Sequence, residues 1–328
     1  MENILKMKIG FIGAGSIARA HIMAAEAAGF TPIAICARDG SENARKLSKE
    51  FEDLRFFQSY EDFIKADFDC VSILLNTDVS VGMYSKVLSD RDIPVFIEKP
   101  VARESSIFTG NLNLDREKTL VGYNRRFYSS INEIRFLLAE NKNVQSNWNI
   151  PEVSWEKKPI SSVRKHFLLE NSVHILDLFL FLLGTPSESK FMNYYQNEFL
   201  QHSTSLHQFS NGNIATLSIN FGIPDNTFAS FYLPGVNYLL KPIEILSKFS
   251  KIVTEPASEI VPYKKYVPTQ DEVWEISKYD LLFKPGFYEQ YLEFMRICMG
   301  AKRTIGATLR DAYNVIKFAE QIINSEIS

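Results

Sequence analysis

Three clusters in this sequence combine residue types and spacings that can do chemistry. The first is Gly13-Ala14-Gly15-Ser16-Ile17-Ala18, which follows an apolar run at residues 8–12 and precedes an amphipathic segment. Between a strand and a helix, each small residue there has a mechanical reason. Gly13 permits a tight turn, Gly15 lets the backbone approach a diphosphate, and Ala18 allows close helix-sheet contact. The amides of Ser16 and Ile17 at the helix start would then face the anion, with the positive end of the helix dipole behind them. A bound dinucleotide is the expectation, and a purely structural strand-helix turn is the alternative.

The end of the next strand bears on the ribose. An acid there would bind the 2′-hydroxyl of NAD and repel a 2′-phosphate. This chain has Ala37-Arg38 instead. Arg38 could pair with the 2′-phosphate of NADP and lie against adenine, which favours NADP. Asp39 follows and keeps NAD open, and a solvated loop arginine is the plain alternative.

The second cluster is Glu98-Lys99-Pro100, at the tip of the fifth apolar run. Doubly wound domains bind ligands at that carboxyl edge, so Glu98 and Lys99 are expected at the nicotinamide end of the cofactor. The third is Glu170, His174 and Asp177, spaced four and three apart so that one helix face can hold all three. Such a face presents His174 as general acid or base, with a carboxylate fixing its tautomer. A hydrogen-bonded core histidine, and Glu170 as an N-terminal helix charge, are the simpler readings.

These clusters need elements to position them. Six short apolar runs, at residues 8–12, 32–37, 55–58, 70–75, 94–97 and 119–121, alternate with helical patterns at 17–28, 41–51, 60–66, 79–88 and 105–112. That order predicts a doubly wound parallel sheet, with Ser41 capping the second helix. A further helix at 129–139 leads out of it. Beyond Asn141, period-two runs at 202–209 and 214–221 flank Asn211-Gly212 and predict a mostly antiparallel sheet. Helices are expected at 171–183, ending at Gly184, and at 287–299 and 309–323. The fold class is α/β, with an N-terminal Rossmann domain over 1–125 and a C-terminal α+β domain with an open, mostly antiparallel sheet over 126–328.

Composition excludes several classes of function. The chain has 328 residues, 45% apolar, and a formal charge of -3 from 36 basic and 39 acidic side chains mixed along its length. No basic stripe suits a nucleic acid and no apolar window spans a bilayer, so neither nucleic acid nor membrane is an expected partner. Cys36, Cys70 and Cys298 lie far apart, as buried reduced thiols do, and no metal site is expected. A cytoplasmic enzyme is the expectation.

Four motifs in order make the chain resemble the Gfo/Idh/MocA oxidoreductases: the turn from Gly13 to Ala18, then Glu98-Lys99-Pro100-Val101-Ala102, then Gly122-Tyr123-Asn124-Arg125-Arg126-Phe127, and the Val173-His174-x-x-Asp177 helix ending in Leu183-Gly184. The likeness runs from Met7 to Leu183 and more loosely to the end. It implies a sugar-like substrate and a homo-oligomer formed through the C-terminal sheet. It also implies catalytic roles for Lys99 and His174, with Glu170 standing where many members have aspartate.

Phe167-Leu168-Leu169 replaces the Gly-Gly that usually precedes the acid, which alters the pocket floor. Asn76-Thr77-Asp78 lacks the proline of many relatives, and Asn76 and Thr77 are candidate contacts to the nicotinamide ribose. Tyr123 and Arg126 would shape the pocket wall. Arg164 and Lys165 would bind a phosphate on the substrate, with a solvated charged loop as the alternative. The implied reaction is hydride transfer between NAD(P) and a secondary alcohol of a sugar, cyclitol or nucleotide sugar. Its rivals are elimination or hydrolysis with a recycled NAD, and an inactive dinucleotide-binding regulator or scaffold of the same fold.

Overall fold

The computed structural model describes residues 7–108, 112–152, 168–169, 172–196, 199–274 and 277–325. The chain forms two compact units, Met1–Phe127 with Lys278–Glu320, and Tyr128–Ser277 with Gln321–Ser328.

The first unit holds β1 (Lys8–Ile12), β2 (Thr31–Cys36), β3 (Arg55–Phe57), β4 (Cys70–Ile73), β5 (Val95–Ile97) and β6 (Thr119–Val121), joined by α1 (Ala18–Ala27), α2 (Glu42–Glu50), α3 (Tyr60–Phe63) and α4 (Thr77–Asp90). The strands pair in parallel in the order β3-β2-β1-β4-β5-β6. Ile9, Phe11, Val71, Ile73, Phe96 and Ile97 are fully buried, as expected for parallel strands covered on both faces. The order reverses between β1 and β4, which puts the ligand crevice of such a sheet at their carboxyl ends.

Local chemistry sets the helix ends. Ser41 caps α2 by accepting from the Ala44 amide at 3.3 Å. The helix expected at 60–66 stops at Phe63, where Arg91 donates to the carbonyls of Ala66 (3.0 Å) and Phe68 (2.6 Å). Of the helix expected at 105–112, the stretch Ser105–Phe108 is a 3-10 turn, where Glu320 accepts from both the amide and the hydroxyl of Ser105, and residues 109–111 lie outside the described residues. Conversely, α4 begins two residues before its expected start, at Thr77, where Asp78 complements the dipole.

The chain returns to this unit after its excursion through the second. The return begins with α7 (Lys278–Leu282) and α8 (Phe287–Cys298), and α9 (Leu309–Asn324) follows. Phe287, Tyr291, Phe294 and Ile297 of α8 recur at helical spacing and join the core of Ile22, Ala25, Phe30 and Phe96. Phe96 stacks on Tyr291 at 5.2 Å and Phe30 on Phe294 at 5.7 Å. A single cut at 125/126 therefore does not describe these units. The apolar stripe of α8 is visible in the sequence, but its sheet is not.

The second unit holds α5 (Ser129–Glu140), α6 (Val173–Leu183) and eight strands: β7 (Gln145–Glu152), β8 (Glu188–Gln196), β9 (Phe199–Gln208), β10 (Ile214–Phe221), β11 (Phe228–Leu233), β12 (Val236–Leu240), β13 (Leu246–Glu255) and β14 (Lys265–Trp274). Their order is β14-β13-β12-β11-β7-β10-β9-β8, antiparallel except for the β7-β10 pair. The β9-β10 hairpin turns at Asn211-Gly212, with Gly212 at φ 86°. One sheet face is buried by α6, whose Phe179 meets Trp148 edge-on at 5.5 Å and His207 at 5.1 Å. Gly184 ends α6 at φ 86°, its amide returning to Leu180.

Among the described residues no helix is long and apolar enough to cross a membrane. None of them forms a metal-ligating cluster, and all three cysteines are unpaired.

Candidate functional site

In the first unit the glycine turn lies at the carboxyl end of β1. The Gly13 amide donates to Cys36 O at 2.8 Å, and its φ of 107° together with the nearby Leu74 carbonyl leaves no room for a Cβ. A Cβ on Gly15 would meet nothing within 4 Å, so the space above it is open to a ligand. Ala18, the first residue of α1, is fully buried. The amides of Ser16 and Ile17 donate to no backbone carbonyl among the described residues. An open space faced by such amides at a helix start fits a diphosphate.

Asn43, on the first turn of α2, fastens this turn by donating to the carbonyls of Ala14 (2.8 Å) and Gly15 (3.2 Å). Sequence reasoning passes over Asn43, because a polar residue two places after a helix cap has no distinctive pattern. The same α2 start holds the loop after β2. Strand β2 ends at Cys36, one residue before the expected Ala37, and the Ser41 amide donates to Arg38 O at 3.2 Å. Asp39 turns its carboxylate onto the Gly40 amide at 2.7 Å, and Arg38 stands exposed beside it. Asn76 is exposed at the N-cap of α4 with Thr77 behind it, both beyond the carboxyl end of β4.

At the tip of β5, Glu98 is held from two sides. Its Oε1 lies 3.1 Å from His21 Nε2, and its Oε2 accepts from the Lys99 amide at 2.9 Å. His21 is fully buried on α1, and its Nδ1 is 3.0 Å from the Tyr291 hydroxyl, which in turn is 3.0 Å from Ser72 Oγ. Burial pushes the Glu98 carboxyl up, but the His21 imidazole 3.1 Å away, with the charges of Lys99 and Lys284, outweighs it and holds the group below the usual carboxylate range. A Cβ on Gly122 would stand 2.8 Å from Glu98 Oε1, so any larger residue there makes the carboxylate shift. The sequence offers no signal for His21, since one histidine in an alanine-rich helix looks like any core residue.

Tyr123 and Arg126, expected at a pocket wall, are buried at 1% and 4% exposure. Arg126 directs its guanidinium inward, to Asp311 at 3.6 Å and Ile305 O at 3.4 Å. Its placement is that of a tie to the C-terminal return.

In the second unit, α6 carries His174 and Asp177, buried at 8% and 0% exposure. The partner expected for them, Glu170, lies outside the described residues, as do Arg164 and Lys165. Glu152, at the end of β7, is a carboxylate that sequence reasoning missed. It is 3% exposed and accepts from the hydroxyl of Ser172, at the amino end of α6, where a negative charge complements the dipole.

Comparison with known proteins gives the same picture. Structures similar to this chain include UDP-N-acetylglucosamine 3-dehydrogenase from Acidithiobacillus ferrooxidans (16% identity, 97% of each chain covered, TM-score 0.71). They also include a myo-inositol dehydrogenase from Corynebacterium glutamicum (17% identity, 98% of this chain and 96% of that one, TM-score 0.71). A third is levoglucosan dehydrogenase in complex with NADH and levoglucosan (14% identity, 98% and 97%, TM-score 0.72). At these identities the likeness is one of fold. A search of curated proteins finds no match. Residues 7–118 match the model of the Gfo/Idh/MocA oxidoreductase family, NAD-binding Rossmann fold. Over these residues the chain is similar to the NAD-binding Rossmann domain of the Gfo/Idh/MocA oxidoreductases.

Proposed function

We propose that the protein is an NAD(P)-dependent dehydrogenase that moves a hydride between nicotinamide and a secondary alcohol of a sugar, cyclitol or nucleotide sugar. The observation that carries this reading is the carboxyl edge of the Rossmann sheet. There Glu98, locked by His21, holds the backbone of Lys99 on the same edge as a glycine turn open to a diphosphate. The named activities of the similar structures support the sugar-like class.

When bound, the nicotinamide supplies the hydride acceptor or donor. The residues supply the rest. Ser16 and Ile17 amides donate to the diphosphate across Gly13 and Gly15, and Asn76 and Thr77 contact the nicotinamide ribose. Arg38, exposed at the end of β2 while Asp39 faces Gly40, pairs with a 2′-phosphate and makes NADP the preferred form. His174 takes the hydroxyl proton, with Asp177 or Glu170 orienting its ring. The Lys99 ammonium donates to the reacting oxygen and stabilises charge developing there. Arg164 and Lys165 bind a phosphate carried by the substrate.

The sheet face opposite α6 exposes Met192, Tyr194, Leu206 and Tyr232 among threonines and asparagines, a mixture suited to a second copy of the chain. Three cysteines spaced far apart in the sequence fit a reducing, cytoplasmic setting.

The test is absorbance at 340 nm with sugars, cyclitols and nucleotide sugars offered with each cofactor. One of them should be turned over, and Lys99→Met and His174→Ala should each abolish turnover while dinucleotide binding persists. Dinucleotide binding without turnover of any of them would move the reading to a regulator of the same fold.

A further inference from the structure

The C-terminal return brings a second cation to the glycine turn. A cavity of 320 Å³ in the first unit is lined by Ser16 and Arg19 from the start of α1, by Met23, and by Phe283 and Lys284 from the loop joining α7 to α8. Its volume lies in the range of small-molecule sites. Ser16 adjoins Gly15, above which the space is open, so the cavity borders the place where a diphosphate would sit.

The loop that carries Lys284 is fixed from both sides. The Gly286 amide donates to the buried Asp280 carboxylate at 2.7 Å, and Pro285 O accepts from the buried Asn124 side chain at 2.7 Å. The Phe287 amide closes the turn on Lys284 O at 3.0 Å. Sites built on such restrained backbone place their groups reproducibly.

Charge balance around the cavity is uneven. Arg19 is already neutralised by Glu50, at 2.5 Å. Glu98, the carboxylate whose charge reaches Lys284, has its Oε1 engaged by His21 and its Oε2 by the Lys99 amide. Lys284 rests its ammonium 4.8 Å from the Phe287 ring centroid. Desolvation draws the Lys284 ammonium below its usual range; Glu98 partly offsets this and Arg125 adds to it. An anion entering the cavity would supply the missing negative charge.

We propose that Lys284 is a cofactor-binding residue whose ammonium forms a second wall of the diphosphate site, facing the Ser16 turn across this cavity. The inference rests on the dinucleotide reading above and adds to it a residue from the far end of the chain, outside the matched family region. A charge-assisted contact of this kind is strong and depends on salt.

The experiment measures NADH and NADPH binding by fluorescence in wild type, Lys284→Gln and Lys284→Arg, with circular dichroism and melting as controls of folding. Lys284→Gln should weaken the preferred dinucleotide about tenfold and flatten the salt dependence of its Kd, and Lys284→Arg should restore most of both. ADP-ribose, which keeps the diphosphate and lacks nicotinamide, should lose the same factor. A folded Lys284→Gln protein with wild-type Kd and salt dependence, or one that weakens NADH but leaves ADP-ribose unchanged, overturns the assignment. Wild-type protein that binds no dinucleotide overturns the functional reading and this inference together, so the two failures are distinguishable.

Discussion

His21 bridges Glu98 and Tyr291, with Nε2 3.1 Å from the carboxylate and Nδ1 3.0 Å from the hydroxyl, so a residue of the first helix fixes the acid beside Lys99. His21→Gln should uncouple them. Glu98 is held low in the folded state, so its contribution to stability is present above the unfolded carboxyl pKa and is lost as pH falls through the folded value. Removing His21 raises the folded pKa, and the acid-unfolding midpoint followed by circular dichroism should move to higher pH. A midpoint that stays in place would show that Lys99 and Lys284 suffice.

Gly122→Ala tests the same acid from the other side. The new Cβ would lie 2.8 Å from Glu98 Oε1 and 3.1 Å from the Phe96 ring, so one of them has to move. A loss of about 1–3 kcal/mol in urea unfolding is expected, as for overpacked cores, together with lower turnover. Unchanged stability would mean that Glu98 has slack.

Arg38→Ala should weaken NADPH about tenfold or more and leave NADH nearly unchanged, because only a 2′-phosphate needs the guanidinium. Equal losses for both cofactors in a binding titration would instead place Arg38 on the adenine.

Glu293 is fully buried on α8 and accepts from the Thr304 amide (2.6 Å), the Thr304 hydroxyl (2.8 Å) and Arg296 (2.7 Å). Glu293→Ala strips this anchor from the loop before α9. A cost of about 3 kcal/mol is expected in the urea midpoint. A cost below about 1 kcal/mol would show that the loop holds without it.

His207, buried between Ser189 and Ser205, has its pKa pushed down to about 4 by desolvation. The unfolded chain binds this proton more readily, so stability falls as pH drops from about 6.5 toward 4, by on the order of 3 kcal/mol in total. His207→Gln should flatten that part of the stability-pH curve, and an equally steep curve would assign the loss to other groups.

The parallel sheet and the glycine turn are legible in the sequence because their signals are local: continuous apolar strands, small residues at fixed offsets, and a serine cap at Ser41 that the structure confirms. Lys99 is legible by its address after the fifth strand. His21 and Asn43 are not, because each acts through a partner far away in the chain and neither has a pattern of its own. Nor is the fate of α8, since the period of Phe287, Tyr291 and Phe294 shows that a face is buried without naming the sheet it covers. For Arg126 the motif suggests a pocket wall, and what the sequence does not show is its burial and its approach to Asp311 at 3.6 Å.

The late arrival of α8 has a consequence for how the protein is made. During synthesis, all six strands of the Rossmann sheet leave the ribosome before Tyr291 and Phe294 exist, so Phe30 and Phe96 lack their covering rings and His21 lacks its hydroxyl partner. The Rossmann half, translated first, is therefore completed only after the C-terminal return has been made. A nascent chain stalled after Phe127 should expose that apolar surface to chaperones until the remaining residues are released.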